Sequence, residues 1–186
     1  MKIGLFYFDG FAEFEIVLCC MYLKEHQIFS IALENKEVIS MEKQKYLVDN
    51  LISEANLDDV DLLIIPGGDS TKLFENQELQ KYFEIVSKKG KIAAICGGSE
   101  LLASLGLLKG KKCTGDTYGI TSESSSYKYY LDSIIIDEYV VEDENILTGQ
   151  GQAFIEFAAE LGLFMGIAKS KEEVEQDMNW FMNVRK

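Results

Sequence analysis

At 186 residues with 47% hydrophobic side chains, the chain has the length of one ordinary domain, able to bury about 70% of its unfolded surface. Its 31 acidic and 18 basic residues give a net charge of −13 spread along the whole sequence, which argues against a phosphate-backbone or anionic-membrane partner. No apolar run approaches the ~20 residues that span a bilayer, and the opening MKIGLFYFDGF breaks at Asp9–Gly10 as a first strand does, not as a signal peptide does.

In chain order, Ile3–Phe8 reads as the first strand. Ala12–Glu25 reads as a helix whose Phe14, Val17, Leu18, Met21 and Tyr22 recur at helical spacing and face the core. Ile28–Leu33 is the second strand. Residues 35–50 form a polar hairpin excursion with Lys45–Val48 as its second arm. After a turn at Asp58–Asp59, the apolar run Asp61–Ile65 is a buried strand ending in Pro66–Gly67–Gly68. Asn76 is the expected N-cap of a helix through Lys89, with Leu79, Phe83 and Val86 on its inner face.

Lys91–Gly106, KIAAICGGSELLASLG, is the stretch around which the rest is organised. Lys91–Ile95 predicts a strand buried on both faces, and Ser99–Leu105 a helix stopped at Gly106. Between them lies Cys96, with the small residues Ala94 and Gly98 two positions to either side. That pattern permits the tight strand-to-helix turn called a nucleophile elbow. The thiol would then stand beside the unpaired N–H groups of a helix start.

Gly110–Ser126 is loop-rich. Ile134–Val141 and Asn145–Thr148 are expected to pair across a turn at 142–144. Gln152–Ile167 and Lys171–Val184 read as the last two helices, and Tyr127–Tyr130 as packing residues. The four cysteines lack paired spacing, so reduced thiols in a cytoplasmic protein are expected, without a metal site or cofactor. Strands alternating with helices, with no linker or repeat, predict one α/β domain over residues 1–186, a sandwich about a mainly parallel sheet. Ligands of such sheets bind beyond the carboxyl ends of the strands. Asp9–Glu15, Gly67–Asp69, Cys96–Gly98, Thr114–Asp116 and Thr148–Gln152 all fall there.

Four motifs in this order resemble one family: a strand followed by DGFxxxE, then LLIIPGG, AICGGS and LTGQGQ. The chain is similar, from Lys2 to about Ile167, to the ThiJ/PfpI family. Its members are flavodoxin-like, class I glutamine-amidotransferase-like proteins, and include the Parkinson-disease-associated deglycase and chaperone. The resemblance implies a flavodoxin-like three-layer sandwich and a homodimer. It makes Cys96 the reactive cysteine and Glu15 the carboxylic acid that reaches its sulfur. Gly68 and Gly97 match the positions whose backbone N–H groups form the oxyanion site. Members with amidase or protease-like activity carry a histidine after the cysteine or in the loop following the elbow helix. This chain has Gly97 and Cys113–Asp116 at those places, and its one histidine, His26, falls near the distal end of the first helix.

Without an imidazole, lowering a thiol from about 8.5 to ~5.5 takes about 4 kcal/mol, more than a helix terminus supplies. A protonated Glu15 could donate the missing hydrogen bond, so the expected resting state is a Cys96 thiolate beside neutral Glu15, reactive below pH 7. Glu13, about 200° around the helix, is the competing carboxylate. Asp116 is a candidate orienting group, Gln150 and Gln152 are candidate substrate donors or helix caps, and Cys113 is either inert or a resolving thiol. Three readings stay open: an enzyme acting on a small electrophile (an α-oxoaldehyde, amide or isonitrile), a redox sensor oxidised at Cys96, or a non-catalytic ligand-binding relative. Peptidase activity is in doubt, and a small-molecule substrate is the expected partner.

Overall fold

A computed structural model describes residues 1–182. The elements in order are β1 (Lys2–Phe6), α1 (Phe14–Leu23), β2 (Gln27–Ala32), β3 (Glu37–Ile39), β4 (Lys45–Leu47), β5 (Asn50–Leu51), β6 (Leu62–Ile65) and α2 (Gln77–Lys89). Then come β7 (Lys91–Ile95), α3 (Gly97–Ser104), β8 (Lys112–Cys113), β9 (Ile134–Ile135), β10 (Val140–Asp143), β11 (Ile146–Gly149), α4 (Phe154–Phe164) and α5 (Lys171–Phe181).

Strands β10-β11-β7-β6-β1-β2-β5 make one sheet, parallel throughout except for β10. Its central members are unbroken apolar runs: all four residues of β6 and the last four of β7 are buried, as a strand covered on both faces requires. The chain steps from β1 to β2 in one direction and from β6 to β7 in the other. Right-handed crossovers therefore put α1 and α2 on opposite faces, and α4 packs beside α1. This is the α/β sandwich that the alternating pattern predicts, in the flavodoxin-like form that the family resemblance implies. The reversal of direction between β1 and β6 opens a crevice at the carboxyl ends of the strands, where α/β sheets bind ligands.

Helix α2 conforms to its sequence reading. The Asn76 side chain accepts the Leu79 N–H at 2.9 Å, and Leu79, Phe83 and Val86 are the buried positions. The residues 37–47 form the expected antiparallel hairpin. Three expectations are corrected. The inner face of α1 consists of Glu15, Ile16, Cys19 and Leu23, while Phe14, Val17 and Met21 stay 44–52% exposed. The helix is apolar nearly all round, so helical spacing alone could not select its buried stripe. Second, residues 134–141 do not form one strand: β9 pairs with β8, and β10 turns into β11 at Glu144–Asn145, with Glu144 at φ 54°. Third, the helix expected from Gln152 begins at Phe154, after a single 3₁₀ turn at Gly151–Ala153. The last helix is described to Phe181, and Val184, its expected end, lies outside the described residues. Tyr130 is buried in the 3₁₀ turn Tyr127–Tyr130, which packs on α3.

Candidate active site

Cys96 sits between β7 and α3 with φ 55° and ψ −126°, a strained geometry for a residue with a side chain. The surroundings fix it. The Cys96 N–H donates to Gly149 O at 2.8 Å, the Ser99 N–H donates to Cys96 O at 3.0 Å, and the Ser99 hydroxyl caps Ala94 O at 3.1 Å. The elbow expected from the sequence is present, with α3 starting at Gly97 instead of Ser99. Two glycines enclose the sulfur. A Cβ on Gly67 would lie 2.5 Å from Cys96 Cβ, and one on Gly151 would lie 2.8 Å from Cys96 Sγ and 3.1 Å from Glu15 Oε1. No side chain fits at either position without displacing the thiol.

The first turn of α1 delivers Glu15 to this point, 2% exposed, with Oε2 accepting the Gly67 N–H at 2.6 Å and the carboxyl group meeting Cys96. Glu13 points elsewhere, its carboxylate 3.3 Å from the Ser40 hydroxyl. Burial raises the Glu15 carboxyl to about 7, against the opposing pull of the Gly67 N–H and Cys96. Burial, and next the charge on Glu15, push the Cys96 thiol up to about 12, although the Thr117 hydroxyl and Gly97 N–H favour the thiolate. The direction runs against the thiolate expected below pH 7, since burial and an ionised Glu15 both favour the protonated sulfur. Among the described residues no cation offsets the buried negative charge, so the site favours a single proton held between Glu15 and Cys96.

The structure brings together Cys96, Glu15, Gly68 and Gly97, with Gln152 at the edge of the same cleft, and sets Asp116, Gln150, Cys113 and His26 apart. Gly68 lines the Cys96 cleft, and among the described residues its N–H has no backbone acceptor. The Gly97 N–H is directed at the Cys96 sulfur. Asp116 turns its carboxylate to the Thr117 N–H (2.6 Å) and the Ser124 hydroxyl (2.8 Å) instead of to Cys96 itself. Gln150 is buried, its amide donating to Glu138 O and Thr114 Oγ1, and it opens onto a neighbouring groove lined by Asp137 and Tyr139. Its neighbour Gln152 is the one that reaches the cleft. Cys113 is fully buried in β8. His26 precedes β2 at the amino-terminal edge of the sheet, the edge opposite Cys96.

Sequence reasoning missed Thr117, whose Oγ1 lies 3.8 Å from Cys96 Sγ. Gly67 and Gly151 lie in segments expected at the site, and the structure adds that both pack directly against Cys96. The cleft over Cys96 has a volume of about 410 Å³ and walls of Phe14, Met41, Phe154 and Tyr118. Among the described residues, no group of three or more His, Cys, Asp or Glu side chains is placed to hold a metal ion, and no helix is long and apolar enough to cross a membrane.

The DJ-1/PfpI family model matches residues 1–162 of this chain. The chain belongs to the DJ-1/PfpI family. Among family members, "Deglycase PfpI" of Pyrococcus furiosus is 32% identical over 120 residues, covering 61% of this chain and 71% of its own. "Uncharacterized protease YdeA" of Bacillus subtilis is 32% identical over 163 residues, 84% of this chain and 80% of its own. The crystal structure of the thiJ/pfpI family protein from Bacillus anthracis superposes with a TM-score of 0.83 at 21% identity, over 99% of this chain and 91% of that one. At that identity the superposition speaks for the fold alone.

Proposed function

We propose that this DJ-1/PfpI member is a cysteine-dependent enzyme acting on a small electrophile, an α-oxoaldehyde, amide or isonitrile, in which Cys96 is the nucleophile and Glu15 moves the proton. The observation that carries the reading is the buried Glu15 carboxyl group against Cys96, raised to about 7 at the floor of an open cleft. A general base works best with a pKa near the operating pH. As Sγ bonds to the electrophilic carbon, its proton passes to the Glu15 carboxylate, and the electron pair displaced onto the substrate oxygen or nitrogen meets the free Gly68 N–H. Glu15 then returns the proton to that heteroatom or to carbon. The names deglycase and protease among the relatives support carbonyl or acyl chemistry of this kind.

The oxidation-sensor reading needs a thiolate at rest, and the raised Cys96 thiol disfavours it. Peptidase chemistry of the Cys–His type lacks its imidazole, because His26 lies on the opposite sheet edge. A cytoplasmic, homodimeric protein completes the proposal. The test is turnover of methylglyoxal, simple amides and isonitriles by wild type, Cys96→Ser and Glu15→Gln. Loss of turnover in both variants, by roughly 10²-fold or more for Glu15→Gln, supports the reading. Full turnover by Cys96→Ser overturns it.

A further inference from the structure

We infer that Thr117 serves the Cys96 sulfur as its neutral hydrogen-bond donor, in place of an imidazole, and that the left-handed backbone of Asp116 exists to present it. The inference rests on the reading of Cys96 as nucleophile and adds a residue to it.

Asp116 has φ 59°, a conformation that turns the chain so that residue 117 faces the elbow. The hydrogen bonds of Asp116 support that turn. Its carboxylate accepts the Thr117 N–H at 2.6 Å and the Ser124 hydroxyl at 2.8 Å, and its carbonyl accepts the Gly151 N–H at 2.9 Å. One residue on, the Thr117 carbonyl accepts the Gln152 N–H at 3.1 Å. Segment 116–117 is thus pinned to the same 3₁₀ turn, Gly151–Ala153, whose first glycine is packed against Sγ. The outcome is the Thr117 hydroxyl 3.8 Å from Cys96 Sγ, on the side open to the cleft.

A hydroxyl suits this site because it can accept from the thiol S–H and donate to the thiolate after a simple rotation. It carries no charge at any working pH, so it does not compete with Glu15 for the single proton of the pair. It stabilises the sulfur anion at the moment Glu15 takes the proton, and it leaves the resting thiol intact. The groups facing Sγ are then Glu15 from α1, the Gly97 N–H from α3 and Thr117 from the 114–117 loop.

The test is the rate of Cys96 alkylation by iodoacetamide across pH, followed by mass spectrometry, in wild type, Thr117→Val and Thr117→Ser. Thr117→Val keeps the shape and removes the donor. It is expected to slow alkylation at pH 7 by about tenfold or more, as losing a hydrogen bond to an ionised group does, and to displace the profile towards alkaline pH. Thr117→Ser is expected to return the rate to within about twofold of wild type. Equal profiles for wild type and Thr117→Val, with Cys96 still the thiol that reacts, overturn the role of Thr117 and leave the nucleophile standing. Alkylation of another cysteine ahead of Cys96 overturns both.

Discussion

Glu15 shows what a buried carboxyl group costs and what it enables. Its value in the folded chain, about 7, exceeds the ordinary 4.5. A raised folded-state value means that the contribution of Glu15 to stability is fully present below pH 4.5 and is lost as pH rises through 7. The loss amounts to about 3 kcal/mol, at 1.36 kcal/mol per unit. Glu15→Gln has no such loss, so urea titrations should show its stability relative to wild type improving by about 3 kcal/mol between pH 4 and pH 8. A pH-independent difference between the two would mean that Glu15 titrates as a solvated acid. The same proton governs reactivity. Cys96 alkylation in wild type should rise through an apparent midpoint near 7, and Glu15→Gln should abolish that step and leave only the slow rise of an unassisted thiol.

At the scale of elements, the site is where four strand ends meet: α1 after β1 brings Glu15, β6 brings Gly67 and Gly68, β7 brings Cys96, and β11 brings Gly151. Close backbone approach at two of these ends makes a sharp prediction. Gly151→Ala places a methyl group 2.8 Å from Sγ, so alkylation of Cys96 should fall at least tenfold while the α/β fold persists by circular dichroism. Unchanged alkylation would show that the 3₁₀ turn can move away from the elbow. Helix α2 gives an independent check on the fold reading. Asn76→Ala removes an N-cap bond and should cost about 1 kcal/mol, with Asn76→Ser nearly neutral in thermal denaturation.

For the whole molecule, the exposed side of α1 matters most. Phe14, Val17 and Met21 form an outward apolar stripe, and Phe14 meets Phe154 edge-on at 5.2 Å beside the Cys96 cleft. Such a stripe is costly to leave in water. It accords with the homodimer implied by the family resemblance, because these side chains are surplus to the core instead of facing it. Light scattering at micromolar concentration should report a dimer, and Val17→Lys with Met21→Lys should shift it to monomer. A wild-type monomer would remove the proposal.

Much of this was legible in the sequence because the signals were local. Unbroken apolar runs at 62–65 and 91–95 specify strands covered on both faces, Asn76 specifies a helix start, and Ala94–Cys96–Gly98 specifies an elbow. The four strand-end motifs, in order, were enough to identify the family, and they put Cys96, Glu15, Gly68 and Gly97 together before any coordinates. The rest depended on distances between segments remote in sequence. The buried stripe of α1 was undecided locally because the helix is apolar on nearly every side. Thr117 became the neighbour of Cys96 only through the backbone turn at Asp116 and its anchoring on residues 151–152. The protonation state of the pair needed tertiary structure most of all. Burial and the approach of Glu15 to Cys96 set it, and neither exists until the chain between residues 15 and 96 has closed around the site.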